Sequence, residues 1–189
     1  MKIDEFLTDY DFCASYDIHI SASPSVVYER LFWLDFNDVW IVRLLETART
    51  GKLVSPSRLA TSLSQRLQGT GFVMLAEVPN EELIMGIAGR FWRPDGGRCL
   101  DLTVGDFVEF ARPGYAKVAW NFSLRADSSE ETVLSTETRT KCFGPAARWK
   151  FRIYWFLIYP FSGLIRNAIL NRVKRDAESF SSKLETGNV

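Results

Sequence analysis

A chain of 189 residues, 47% of them hydrophobic and 14% aromatic, is too apolar to stay unfolded and has the size of one domain with a substantial core. Lys plus Arg number 23 and Asp plus Glu number 23, so no net field draws the molecule to nucleic acid, and no nucleic-acid partner is expected. The single histidine, His19, and the scattered Cys13, Cys99 and Cys142 furnish neither a zinc cage nor a histidine-based triad, so neither a metal nor a cofactor is expected.

In chain order, residues 15–21 alternate Tyr16, Ile18 and Ile20 against Asp17, His19 and Ser21, the period of a strand with one buried face. Ser23 and Pro24 then read as the N-cap and first position of a helix carrying Val26, Val27, Leu31 and Phe32. A second short helix is predicted over 38–47, and a polar loop with a short helix near 58–66 fills 48–70. From residue 72 the pattern turns to strands at 72–78, 83–92 and 98–104, separated by turns at Pro79-Asn80 and Pro94-Asp95-Gly96-Gly97. Residues 105–112 fit neither period cleanly.

The clearest hairpin joins 115–126 to 132–142. Matching Ala126 to Thr132 pairs Leu124 with Leu134, Phe122 with Thr136 and Trp120 with Thr138 on one face; Ser123 with Ser135, Asn121 with Glu137 and Ala119 with Arg139 occupy the other. One apolar and one polar face suits a sheet covered on a single side. After Gly144-Pro145 a helical pattern runs to about residue 183, its apolar face formed by Phe151, Trp155, Ile158, Ser162, Ile165, Ile169, Val173 and Phe180, with a bend expected at residues 160–163 because of Pro160. Its longest uncharged stretch, 153–165, would reach only about 20 Å against a hydrocarbon core of about 30 Å, so no membrane span is predicted. Scattered cysteines without a disulfide spacing, and acids within the first twenty residues, point to the reducing cytoplasm. No repeat or linker divides the chain, and residues 1–189 read as a single domain.

YDIHISASPSVVYERLF at 16–32 resembles the opening of the START-like, birch-pollen-allergen-like superfamily of polyketide cyclases and lipid carriers. LSTETRT at 134–140, ARWKFRIYW at 147–155 and SGLIRNAILNRVKRDAE at 162–178 resemble the closing strand and helix of bacterial members. The resemblance covers nearly the whole chain. It implies an α+β helix-grip fold: a curved antiparallel β-sheet wrapped around a long C-terminal helix, with two short helices after the first strand and an apolar cavity between sheet and helix. It leaves function open, because one scaffold hosts transport, sensing and cyclisation.

Strand alternation assigns Ile18, Ile20, Met85, Ile87, Trp120, Phe122 and Thr138 to the cavity side, facing Phe151, Trp155 and Ile158 of the helix; the plainer role for each is core packing. The polar candidates are Arg90, Asn121, Glu137 and Arg139, with His19 and Tyr154 as neighbours. Two placements stand: a hydrated outer face with cross-strand charges, or, with the faces reversed, a buried pair in which Glu137 and Arg139 orient a ligand or move a proton. Asp106 and Glu109 read as a hydrated loop or a cavity mouth. Phosphate-binding loops, the nucleophile elbow and CxxC are absent.

From Lys141 to Arg175 eight basic residues occur without one acid, among many aromatics. Such a helix either lies on an anionic membrane or presents a solvated outer face that balances acids in residues 1–46. The expected function is therefore binding of a hydrophobic or amphipathic small molecule or lipid, as carrier or sensor. The alternatives are a metal-free polyketide cyclase or dehydratase using the same cavity, and a membrane-surface adaptor.

Overall fold

The computed structural model describes residues 2–34, 71–93 and 100–186. Its elements are α1 (Ile3–Phe6), β1 (Phe12–Ile20), α2 (Pro24–Phe32), β2 (Val73–Val78), β3 (Glu82–Gly89), α3 (Val104–Glu109), β4 (Ala116–Ala126), β5 (Thr132–Cys142) and α4 (Pro145–Thr186). The five strands form one sheet in the order β1-β5-β4-β3-β2, every neighbouring pair antiparallel. The β4–β5 register is the one that alternation predicts, with Leu124 opposite Leu134, Phe122 opposite Thr136 and Trp120 opposite Thr138. With α4 packed on one face, this is an α+β architecture of the helix-grip type.

The concave face carries two separate apolar groups. Ile20, Leu83, Met85, Phe122, Leu124 and Leu134 pack with Val27 and Leu31 of α2 and with Ile169, Leu170 and Val173 of α4. At the other end, Ala116 and Cys142 pack with Ala147 and Phe151 under Phe12, Phe91, Trp92, Tyr154 and Trp155. Because both groups seize the same side of α4, the helix runs 42 residues without interruption, with Pro160, where a bend is expected, inside it. Pro160 is exposed, where the carbonyl that loses its partner turns to water.

The opposite face is not left to solvent, which corrects the single-sided reading. Ile3 and Leu7 from α1 and Phe107 from α3 cover Leu75, Ile84 and Ala119 there. The sequence pattern hides this second layer: α1 is only 4 residues long, and α3 occupies the stretch that fits no clear period. Of the strand expected at 98–104, residues 98 and 99 lie outside the described residues, and 100–104 are not a strand. Thr103 caps α3, accepting from the Asp106 amide while Asp106 accepts from the Thr103 amide, and this reciprocal cap sets Val104 as the first helical residue. Lys117, buried in β4, donates to the Phe107 and Val108 carbonyls at the end of α3 and ties the layer down. Burial lowers its ammonium pKa. The helices predicted at 38–47 and 58–66 lie outside the described residues, so of the two short helices expected after β1, only α2 is described.

Gly86 lets Phe107 approach the sheet: an added Cβ would stand 2.7 Å from that ring and 2.9 Å from Leu75. Gly86→Ala is expected to lower stability by roughly 1–3 kcal/mol. Urea unfolding measures this, and the penalty should shrink in a Phe107→Leu background if the contact is its cause.

Candidate functional site

The sequence-assigned cavity residues divide between the two apolar groups. Ile18, Ile20, Met85, Trp120 and Phe122 gather around the first, and Phe151, Trp155 and Tyr154 around the second. The expected apposition of Trp120 and Phe122 with Phe151, Trp155 and Ile158 is therefore corrected. Trp120 meets Phe122 and Phe72, at ring-centroid distances of 5.0 and 6.2 Å, whereas Phe151 meets Phe12, Tyr154 and Trp155. Ile87 is buried on β3 beside Val118, and Ile158 is half-buried on α4. The residues of α4 that reach the first group lie two to three turns further along, from Ile165 to Val173.

At that level α4 presents a polar side chain that the sequence reading did not select. Arg166 extends from the inner face toward the sheet, its guanidinium carbon 5.4 Å from the Trp120 ring centroid. One terminal nitrogen donates to Thr138 Oγ1 at 2.5 Å. The other donates to the Ser162 hydroxyl one turn earlier and, at 3.3 Å, to the Ser162 carbonyl. Nε is sealed from solvent and has no hydrogen-bond partner, and no carboxylate pairs with Arg166 among the described residues. Burial pulls its pKa below the ordinary arginine value, opposed by the nearby Tyr16. Tyr16 is raised, by burial first and then by the Tyr159 hydroxyl to which it is hydrogen-bonded.

Around this cation the sheet supplies neutral, orienting groups. Trp120 Nε1 donates to Thr136 Oγ1 at 2.6 Å, and that hydroxyl donates to the Asn121 carbonyl at 2.7 Å, which fixes the indole. Gly163 brings α4 against Tyr16, whose hydroxyl would lie 2.8 Å from an added Cβ. The result is a guanidinium held over an indole by two hydroxyls, with buried hydrogen-bonding capacity to spare. A partly buried cation without a counter-ion carries some desolvation cost, and the same arrangement favours an anionic or strongly accepting group brought to it. The signal was present in the sequence: Arg166 lies one turn beyond Ser162, between Ile165 and Ile169 on the stripe read as apolar.

The polar candidates sit on the other face. Glu137, Asn121 and Arg139 point away from α4, yet Asn121 is wholly buried and Arg139 is 7% exposed, which corrects the hydrated placement. Arg139 pairs with Glu137 Oε1 and Asp4 Oδ1, both at 2.7 Å, donates to the Leu7 carbonyl at 2.9 Å, and lies over the Tyr10 ring. Asn121 Nδ2 donates to Glu82 Oε1 at 2.5 Å, the Lys2 amide donates to Glu82 Oε2 at 2.8 Å, and the Glu137 amide donates to Asn121 Oδ1. These contacts clasp the N-terminal segment to the sheet. Cys13 donates its thiol to Glu137 at 3.3 Å, and burial together with that carboxylate pushes it up to about 11.

Arg90 stacks on Tyr115, 4.3 Å from its centroid, and does not join Glu137. His19 is exposed, and its carbonyl accepts from Lys174 Nζ. Asp106 belongs to the α3 cap, and Glu109 is exposed. A cavity of about 360 Å³ lies elsewhere, between α2 and the end of α4, lined by Arg30, Trp33, Arg172, Asp176 and Phe180 among others. Among the described residues no group of three or more His, Cys, Asp or Glu could hold a metal ion.

No family profile matches the chain, and no curated protein does either. Solved structures do. The chain is similar to a conserved protein from Geobacillus kaustophilus, at 9% identity and TM-score 0.45, over 89% of this chain and 96% of that one. It is also similar to StfQ, the di-domain aromatase/cyclase of the steffimycin pathway, at 13% identity and TM-score 0.47, over 96% of this chain but only 55% of the di-domain protein. A third is the Zhui aromatase/cyclase from Streptomyces sp. R1128, at 13% identity and TM-score 0.31, over 88% and 93% of the two chains.

Two outcomes separate the faces. Arg139→Met strands the Glu137 carboxylate beneath the N-terminal segment and is expected to cost about 3–5 kcal/mol in denaturant unfolding. Its hydrogen bond with Arg139 holds Asp4 below the ordinary 3.8, so the pair's stabilisation is complete above that value and is lost as pH falls through the lowered one. Wild type should thus lose more stability than Asp4→Asn between about pH 5 and about pH 2. Gly163→Ala, by contrast, should displace the Tyr16 ring and perturb the Arg166 side, which near-ultraviolet circular dichroism of the aromatics reports while the far-ultraviolet spectrum stays unchanged.

Proposed function

We propose that this domain binds an amphipathic small molecule in the grip between sheet and helix, as a cytoplasmic carrier or sensor of the START-like type. The ligand's acidic or strongly accepting head sits at Arg166, and its apolar remainder follows the concave wall of Ile18, Met85, Trp120 and Phe122. The observation that carries this reading is the half-buried Arg166, its Nε sealed from solvent and its guanidinium held over Trp120 by Thr138 and Ser162 without a carboxylate among the described residues. A guanidinium kept for packing alone would gain from an ion pair. One kept open for a ligand must do without.

The cyclase reading ranks second. Near Arg166, proton transfer has the Tyr16 and Tyr159 hydroxyls to use, whereas the Glu137 carboxylate faces the other side of the sheet. Binding needs nothing further, and the order of the two readings follows from that.

A fluorescent polyene fatty acid and the matching polyene alcohol test the proposal as a pair. The acid is expected to bind wild type about ten- to a hundredfold more tightly than the alcohol, the worth of one charge-assisted contact. Arg166→Met should erase the difference while leaving thermal stability equal or higher, because an unpaired buried charge has been removed. Equal affinities for acid and alcohol in wild type, or a destabilised Arg166→Met, would assign Arg166 to the fold and sink the reading.

A further inference from the structure

The long helix has a second apolar face that the grip does not use. Its inner face buries Phe151, Gly163, Ile169, Leu170 and Val173 against the sheet and α2. On the outer side Phe156 is 81% exposed, Trp149 64% and Leu157 62%, accompanied by exposed Ile153, Phe161 and Leu164. At 3.6 residues per turn, Trp149, Ile153, Phe156, Leu157, Pro160 and Leu164 fall within an arc of roughly 100°, opposite the buried face. An exposed apolar stripe of this extent marks an interaction surface rather than ordinary surface scatter.

The charges around the stripe identify its partner. Lys150 and Arg152 flank it on opposite sides, both are exposed, and neither forms an ion pair among the described residues. No acid occurs between Lys141 and Arg175. Trp149, exposed within the stripe, is of the side-chain type enriched where hydrocarbon meets headgroups. A second copy of the chain seated on this face would bring the same cations against each other without an acid to answer them. We propose that the outer face of α4, from Trp149 to Leu164, docks the domain on an anionic membrane, lying in the interface with its basic flanks among the headgroups.

By length and composition α4 is apolar enough to cross a membrane, with a mean hydropathy of 1.2 in its most apolar window. Only 17% of that window is buried, yet Phe151 and Ile169 anchor the helix to the sheet at two points, and a helix held to a sheet along one side lies on a bilayer instead of crossing it. The substituted residues of the docking face, Lys150, Arg152 and Phe156, lie roughly three to four turns before Arg166, so each surface is tested without disturbing the other.

The test is flotation with vesicles of phosphatidylcholine alone or with roughly a third phosphatidylserine, at low and high salt. Wild type is expected to float with the anionic vesicles at low salt at least tenfold more strongly than with neutral ones, and to be released at high salt. Phe156→Asp should reduce anionic binding at least tenfold, and Lys150→Glu with Arg152→Glu should abolish its salt dependence. Both variants should keep the wild-type melting temperature and its preference for the polyene acid. Equal binding to neutral and anionic vesicles, no binding, or binding indifferent to Phe156→Asp overturns the proposal. So does a dimer in sedimentation velocity that Phe156→Asp dissolves while vesicles fail to bind, since that outcome gives the face to a second copy.

Discussion

A slip of one residue between β4 and β5 would, with β4 held in place, turn Leu134 and Thr138 away from α4 and bring Glu137 and Arg139 beneath it, because side chains alternate along a strand. Everything built on the sheet depends on that register. It puts the indole and the Thr138 hydroxyl where Arg166 can reach them, and it gathers the charged residues on the side that α1 covers. The register is fixed from both faces at once. On one side Leu124 and Leu134 are buried together; on the other the Asn121 side chain accepts from the Glu137 amide opposite it and donates to Glu82 on β3. A shifted pairing would bring the Glu137 and Arg139 charges under the helix and turn Leu134 out of the core, and leaving a buried charge unpaired costs several kcal/mol.

The charged network has a second consequence for the chain's ends. Arg139 and Glu82 hold the first turn through Asp4, the Leu7 carbonyl and the Lys2 amide, while Asp11 accepts from the Cys142 amide and pairs with Arg148 at the start of α4. The N-terminal segment therefore braces the far strand and the helix that follows it. A 4-residue helix has no independent stability, and its place is set by these partners and by Ile3 under the sheet.

Much of the architecture was legible because it is written in periodicity. The hairpin pairs, α2 with its Ser23-Pro24 start, and the long helix all follow from alternation or from spacing of three to four residues. What escaped was decided by contacts distant in sequence. Nothing local in residues 2–10 announces that they cover Ile84, and the Asp106 cap was obscured by the apolar Phe107 and Phe110 beside it. The candidate site shows the same division. Trp120, Phe122 and Thr138 were placed on the helix-facing side because alternation suffices for a strand, whereas Arg166, an arginine on a helix, was counted with the solvated charges. Its placement between Ile165 and Ile169 contradicts that count, and a buried-face position occupied by a cation is the signal to seek in such a sequence.

The continuity of α4 joins these observations. A break at Pro160 would end the helix one turn before the Arg166 cluster and free the following segment to turn away from the sheet. Ser162 and Arg166 would then lose the one-turn spacing that lets the hydroxyl hold the guanidinium. The helix stays whole because Phe151 and its aromatic neighbours anchor one half to the sheet while Ile169 and Val173 anchor the other. Proline costs about 3 kcal/mol inside a helix, and two buried anchors on the same side readily exceed that. The same rigidity holds Phe156, Leu157 and Leu164 in line on the outside. One uninterrupted helix thus presents a half-buried cation to the sheet and an apolar stripe to the surroundings, and neither surface survives if the helix breaks between them.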